Sequence, residues 1–226
     1  MERPIITIPR SLLRELQMTW RIEWRGQDAG STIGGNALSV INAFPRWIGS
    51  PEVSLHRDAI RRWRAILAEG QGRLGIYRLP LTDPIGFGWG TAAGAYAKSG
   101  VPFSNGARFS SGQGFSFTPT ALVVGAVANG AAQFRMDISP SGIAPVEGQI
   151  MSYDDWPFMV TWVDAVSDTL FDVGVQMLRT AIPAGAEISM QAFGRFEVVD
   201  EGQGAASYGA SRHTTATLSV QEVLRR

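Results

Sequence analysis

Asp164, Asp168 and Asp172 stand four residues apart, and on a helix that spacing would align three carboxylates. Aligned carboxylates could hold a cation or share a proton for acid–base work. The run around them, "TWVDAVSDTLFDVGV", is rich in β-branched residues and ends in glycine, so it predicts strand, turn, strand. A calcium loop also needs a denser Asp/Asn/Gly pattern. Asp154 and Asp155 are adjacent, just before Trp156-Pro157. Neighbours on a strand point to opposite faces, so this pair suits a solvated hairpin turn better than an acid/base couple.

Cysteine is absent, which excludes disulfides, thiolate nucleophiles and cysteine-ligated zinc. His56 and His213 are the only histidines, each in polar sequence ("VSLHRDA" and "SRHTTA"), and both read as surface residues. A multi-histidine metal site would require subunits to meet, and a Ser-His-Asp triad would need one of these two. No catalytic, metal or cofactor site is assigned, and no cofactor is expected. The glycines form no G-x-G-x-x-G opening a helix and no G-x-x-x-x-G-K-[ST], so a phosphate cradle is not expected either.

Arginine dominates the cations, with 19 Arg against a single Lys, Lys98. Arg57, Arg61, Arg62 and Arg64 form a local basic patch. A nucleic-acid reader usually carries a basic excess over the whole domain, whereas this chain has a formal net charge of zero. Arg in place of Lys favours fixed, bidentate pairing with carboxylates. The four arginines are therefore the candidate subunit interface. Residues 1–82 hold 12 basic and 7 acidic residues (+5), and residues 83–226 hold 8 and 13 (−5). Such a split can attract neighbouring copies to one another.

These residues need elements to position them. The 45% apolar content suits a packed globular chain. No run approaches the roughly 18 apolar residues of a membrane span. The N-terminal "MERPIITIPR" has too short an apolar run for a secretory signal, so a cytoplasmic or cytoplasm-assembled protein is expected. "PIITIP" reads as extended, and Ser11–Met18 reads as one or two helical turns with Ser11 as N-cap. "TWRIEWRG" alternates, with Trp20, Ile22 and Trp24 on one face of a half-buried strand. Residues 26–35 read as loop, and 36–49 as a strand in which Pro45 marks an edge or a break.

Residues 51–68 read as the one strong helix, with Ile60, Trp63, Ile66 and Leu67 as its buried stripe. Arg57, Arg61 and Arg64 flank that stripe, and Arg62 points away from it. Gly70 and Gly72 are expected to end the helix with positive φ, and "RLGIYRLPL" follows as a strand.

Residues 86–118 interleave glycines with Phe87, Trp89, Tyr96, Phe103, Phe109, Phe115 and Phe117. This suits a long projecting loop or irregular hairpins whose aromatics need a partner surface. A sugar platform is one such use, and contact with a neighbouring subunit is the favoured one. Asn129-Gly130 marks a hairpin between two apolar runs. Strands are expected on both sides of Asp154-Asp155, in "TLFDVGVQML", in "AEISMQAFGRFEVV" and in "TTATLSVQEVL", the last losing its alternation at Gln221-Glu222. No internal repeat of fixed period is apparent. Many short strands and one principal helix give a mainly-β (α+β) fold class.

"RRWRAILAEGQGRLGIYRLPLTDP" resembles a segment of the distal tail proteins of long-tailed bacteriophages, in which a Trp-bearing helix leads through a Gly-rich turn and an aromatic strand to Asp-Pro. "LVVGAVANGAAQFRMD", "VEGQIMSYDDWPFMVTWV", "GVQMLRTAIPAGAEISM" and "FGRFEVV" are similar, in order, to later segments of that family. The resemblance covers about residues 36–200, and residues 86–118 have no well-placed counterpart.

The resemblance implies a β-sandwich or barrel ring-forming domain over 1–84 completed by 188–226, with the Gly/aromatic segment and a smaller β-domain over 85–187. It implies a non-enzymatic virion protein, assembled in the host cytoplasm into a ring, usually a hexamer, at the tail tip. There the ring joins the tail tube to hub and fibre proteins and passes DNA through its channel. Two other readings compete. One is a carbohydrate-binding β-sandwich for host adsorption, stacking sugars on Trp89, Tyr96 or Trp156. The other is a hydrolase whose site is not evident in the sequence.

Overall fold

The computed structural model describes residues 3–9, 12, 15–17, 19–31, 37–40, 44–81, 100–115, 117–205 and 213–225. The fold is mainly β with one principal helix. The chain divides into two compact units, one of Met1–Leu79 with Arg195–Arg226 and one of Pro80–Gly194.

In the first unit, β1 (Ile5–Thr7), β2 (Glu15–Gln17), β3 (Arg21–Glu23), β4 (Gln27–Ser31), β5 (Ala37–Val40), β6 (Arg46–Gly49) and β7 (Glu52–His56) precede α1 (Asp58–Gly70). Three of these segments differ from expectation. Glu15–Gln17 is a strand and not a helical turn, because its backbone pairs with β7. Helix propensity is a weak prior, and a neighbouring strand offering ladder bonds overrides it. Gln27–Ser31 is a strand paired with β5 and not a loop. Residues 52–56 are strand and not helix: Val53 and Leu55 are fully buried on one side, a period of two that helical spacing cannot provide.

The chain reverses into α1 at Arg57, whose φ is +39°, and Asp58 sits in the positive first turn. Ile60, Trp63 and Ile66 are buried, as the stripe predicts, and Leu67 is half-buried. The helix end also departs from expectation. Gly70 is still helical, and its role is close approach: a Cβ there would strike the Tyr77 hydroxyl. The left-handed cap falls on Gln71, at φ +46°, and Gly72 follows with the expected positive φ, +63°. Burial pushes the Tyr77 hydroxyl pKa up.

After α1 comes β8 (Ile76–Pro80), which pairs in parallel with β1. The later strands β15 (Phe193–Val198), β16 (His213–Thr217) and β17 (Val220–Glu222) complete the unit. Its main sheet runs β1-β8-β15-β17-β6-β3, and a second runs β16-β7-β2. "TTATLSVQEVL" is therefore two strands, in two sheets. Its alternation persists through Val220 and Glu222, because Glu222 is buried and its carboxylate accepts the Trp47 backbone N–H at 3.0 Å. Trp20 packs on Phe196 with ring centres 5.1 Å apart, while Trp24 is exposed.

The second unit contains β9 (Thr120–Val123), β10 (Gln133–Asp137), β11 (Ile150–Tyr153), β12 (Trp156–Ala165), β13 (Leu170–Gln176) and β14 (Glu187–Ser189). They close into a barrel in the order β10-β13-β12-β11-β14-β9. The closed barrel thus belongs to the inserted unit of Pro80–Gly194. Inward residues fill it: Val123, Met136, Met151, Phe158, Val160, Val173 and Ile188 are among its fully or nearly fully buried core. Closure removes free strand edges and buries the alternate face of every strand, which stabilises a small unit. Buried Gln149 is satisfied by its own neighbourhood, donating to the Met190 carbonyl at 2.9 Å and accepting from the Val146 N–H at 3.1 Å.

Candidate interaction surfaces

The four arginines of the basic patch all lie on or beside α1, and all are exposed. Arg57 is the N-cap residue, Arg61 pairs with Asp58 one turn away, and Arg62 faces solvent. Arg64 borders an open groove with Leu55, Ile60, Trp63 and Leu67. Elsewhere arginine is used inside the chain. Arg3 meets Glu197 at 2.9 Å and the Leu74 carbonyl at 2.8 Å, and Arg46 meets Glu23 at 2.7 Å. Arg135 holds Asp172 with two bonds of 2.7 Å, so the bidentate pairing expected at interfaces also occurs within the barrel unit. That pairing lowers the Asp172 pKa.

The acidic positions do not form a site. Asp154 and Asp155 make the turn between β11 and β12, with φ of +47° and +60°, the pattern of a type I′ hairpin. Asp164 on β12 stands opposite Asp172 on β13, and Asp168 lies in the turn between those strands. Among the described residues no three His, Asp or Glu side chains gather to hold a metal ion. No described helix is long and apolar enough to cross a membrane. Of the aromatic residues considered for sugars, Trp89 and Tyr96 lie outside the described residues, and Trp156 is half-buried.

The structure exposes a surface that composition only outlines. Residues 101–115 form two successive turns of one design. Phe103 accepts from the Gly106 N–H at 2.8 Å and donates its own N–H to the Ala107 carbonyl at 2.9 Å. Phe109 repeats this with Gly112 at 2.7 Å and Gln113 at 2.9 Å. Gly106 and Gly112 have φ of +81° and +79°, the positive-φ position that a three-residue hairpin loop requires. Val101 and Phe115 pair across the base.

The sequence does contain a short repeat after all, six residues from Phe103 to Phe109 and six more to Phe115. It places the three rings edge to face, with centres 5.0–5.3 Å apart. All three remain exposed, at 37%, 46% and 50%. Rings packed on each other yet open to water form a preorganised apolar patch.

The two histidines, each expected singly at the surface, are brought together. They stand directly opposite each other on β7 and β16, with ring centres 4.5 Å apart and planes inclined by 50°. His213 Nε2 lies 3.0 Å from the Ser54 hydroxyl. Strand pairing between distant segments creates this contact, and neither local sequence carries a signal for it. No protein-family model matches the chain, and no curated protein sequence is similar to it at a significant level.

Proposed function

We propose that this chain is a virion structural protein that forms a ring, most simply a hexamer, at the distal end of a long bacteriophage tail. In this reading it joins the tail tube to hub and fibre proteins around the DNA channel, and it performs no catalysis. The ordered segments similar to distal tail proteins suggest the family. The observation that carries the reading is the exposed Phe103–Phe109–Phe115 patch. Fully burying one Phe is worth about 1.5–3 kcal/mol, so three held open on tied turns favour a protein partner.

The charge distribution supports self-association. The unit of residues 1–79 and 195–226 has 16 basic and 11 acidic residues (+5), and the unit of residues 80–194 has 4 and 9 (−5). Opposite units of neighbouring copies therefore attract, as a head-to-tail ring requires.

The test is negative-stain microscopy and mass photometry of the purified protein and of isolated tail tips. Closed rings of one size are expected, and replacing Phe103, Phe109 and Phe115 together by Ser reduces them while the melting temperature is kept. A strict monomer at high concentration and within the virion overturns the reading. Binding of a glycan array by that monomer would point instead to host-sugar recognition.

A further inference from the structure

His56 and His213 are the only imidazoles in 226 residues, and the fold sets them opposite each other from distant parts of the chain. We propose that they form a two-nitrogen chelate for a late first-row divalent metal ion (copper, nickel or zinc), with water in the remaining positions.

Distance is the first argument. A metal–nitrogen bond of about 2.0–2.1 Å places an imidazole centre about 3.2 Å from the ion, so two rings at 90–110° around it have centres about 4.5–5.2 Å apart. The observed separation is 4.5 Å. Ligand type is the second: imidazole suits copper, nickel and zinc, whereas magnesium and calcium prefer oxygen.

Orientation is the third. His213 Nε2 lies 3.0 Å from the Ser54 hydroxyl; in the tautomer that donates from Nε2 the lone pair is on Nδ1, which is how an outer partner prepares a histidine ligand, and in the other tautomer Ser54 donates to Nε2. The surroundings also leave room for a hydrated ion. Both histidines are exposed, and two pairs along the ladder, on the same face, Ser54 stands opposite Thr215.

The chelate would tie β16 to β7, segments separated by most of the chain. An ion bound only by the paired strands stabilises the folded state in proportion to its saturation.

The experiment titrates the intact protein with copper(II), nickel(II), zinc(II), magnesium and calcium salts, each alone, by calorimetry. One saturable equivalent per chain is expected, strongest for copper. His56→Asn or His213→Asn weakens it by about tenfold or more, and the double variant shows only background. Circular dichroism without metal controls for folding. In case a variant fails to fold, the wild-type protein is also treated with diethyl pyrocarbonate, and copper should protect both histidines together. The proposal is overturned by no saturable binding in the wild type, by half an equivalent per chain, by unchanged affinity in either single variant, or by unprotected histidines at saturating copper. The pair would then be an aromatic contact only.

Discussion

At the residue scale, Trp63 and Glu222 show how one side chain holds distant segments together. Trp63 is 2% exposed, and its indole N–H donates to the Gly204 carbonyl at 2.8 Å. The helical spacing predicted its burial, but the polar bond to a loop 141 residues away depends on the fold. Trp63→Ala should lower stability by about 3–5 kcal/mol, a large part of a typical total. Trp63→Phe keeps most of the packing and loses the bond, so it should cost only part of that. Denaturant melts of both variants check this, and an unchanged midpoint for Trp63→Ala would show that the stripe is wrongly assigned. Glu222 teaches the converse. A charged residue looked like the end of the alternation, yet it is buried because its carboxylate serves the Trp47 N–H.

At the element scale, the six-residue turn repeat is a conformational device. At neither Gly106 nor Gly112 does any residue beyond the chain neighbours come within 4 Å of the place a Cβ would occupy, so space is no obstacle to a side chain. Their φ values near +80° are the obstacle. Gly106→Ala and Gly112→Ala should therefore each destabilise their turn by about 1 kcal/mol or more, with Asn milder because it tolerates positive φ. Hydrogen exchange of the Gly106 and Gly112 amides, which close the turns, measures this. Unchanged protection would mean that the turns do not depend on glycine. The aromatic–glycine composition was legible as a projecting loop or irregular hairpins. The edge-to-face trio was not, because ring geometry depends on two turns closing in the same way.

At the scale of the whole molecule, the charge split follows the division into units. The balance of +5 and −5 found across residue 82 recurs between the two compact units, although the second stretch of the first unit comes from the far end of the chain. Exposed ion pairs contribute only about 0–1 kcal/mol each, so single substitutions should be nearly silent. Replacing Arg57, Arg61 and Arg62 together by Glu should leave the subunit folded, since all three are exposed and off the Ile60–Trp63–Ile66 stripe. The same change should weaken assembly, most visibly at low salt, where charges are least screened. Sedimentation across salt concentrations, with circular dichroism for folding, reads the outcome. Wild-type assembly at every salt concentration would leave the interface to apolar and backbone contacts.

Local sequence was enough for the mainly-β class, the buried face of α1, the Asp154-Asp155 turn and the strand–turn–strand placement of Asp164, Asp168 and Asp172. Each rests on short-range physics: a period of two or 3.6, or a turn residue that tolerates positive φ. Long-range pairing was needed to make a strand of Glu15–Gln17, to divide "TTATLSVQEVL" between two sheets, and to close the barrel in the inserted unit, whereas Gln27–Ser31 becomes a strand by pairing with the next strand, Ala37–Val40. Strand identity in such segments comes from a partner's backbone, and partners far along the chain leave no mark on the local pattern. The pairing of His56 with His213 has the same origin: an antiparallel register sets the two rings opposite each other, and no stretch of sequence around either histidine encodes it.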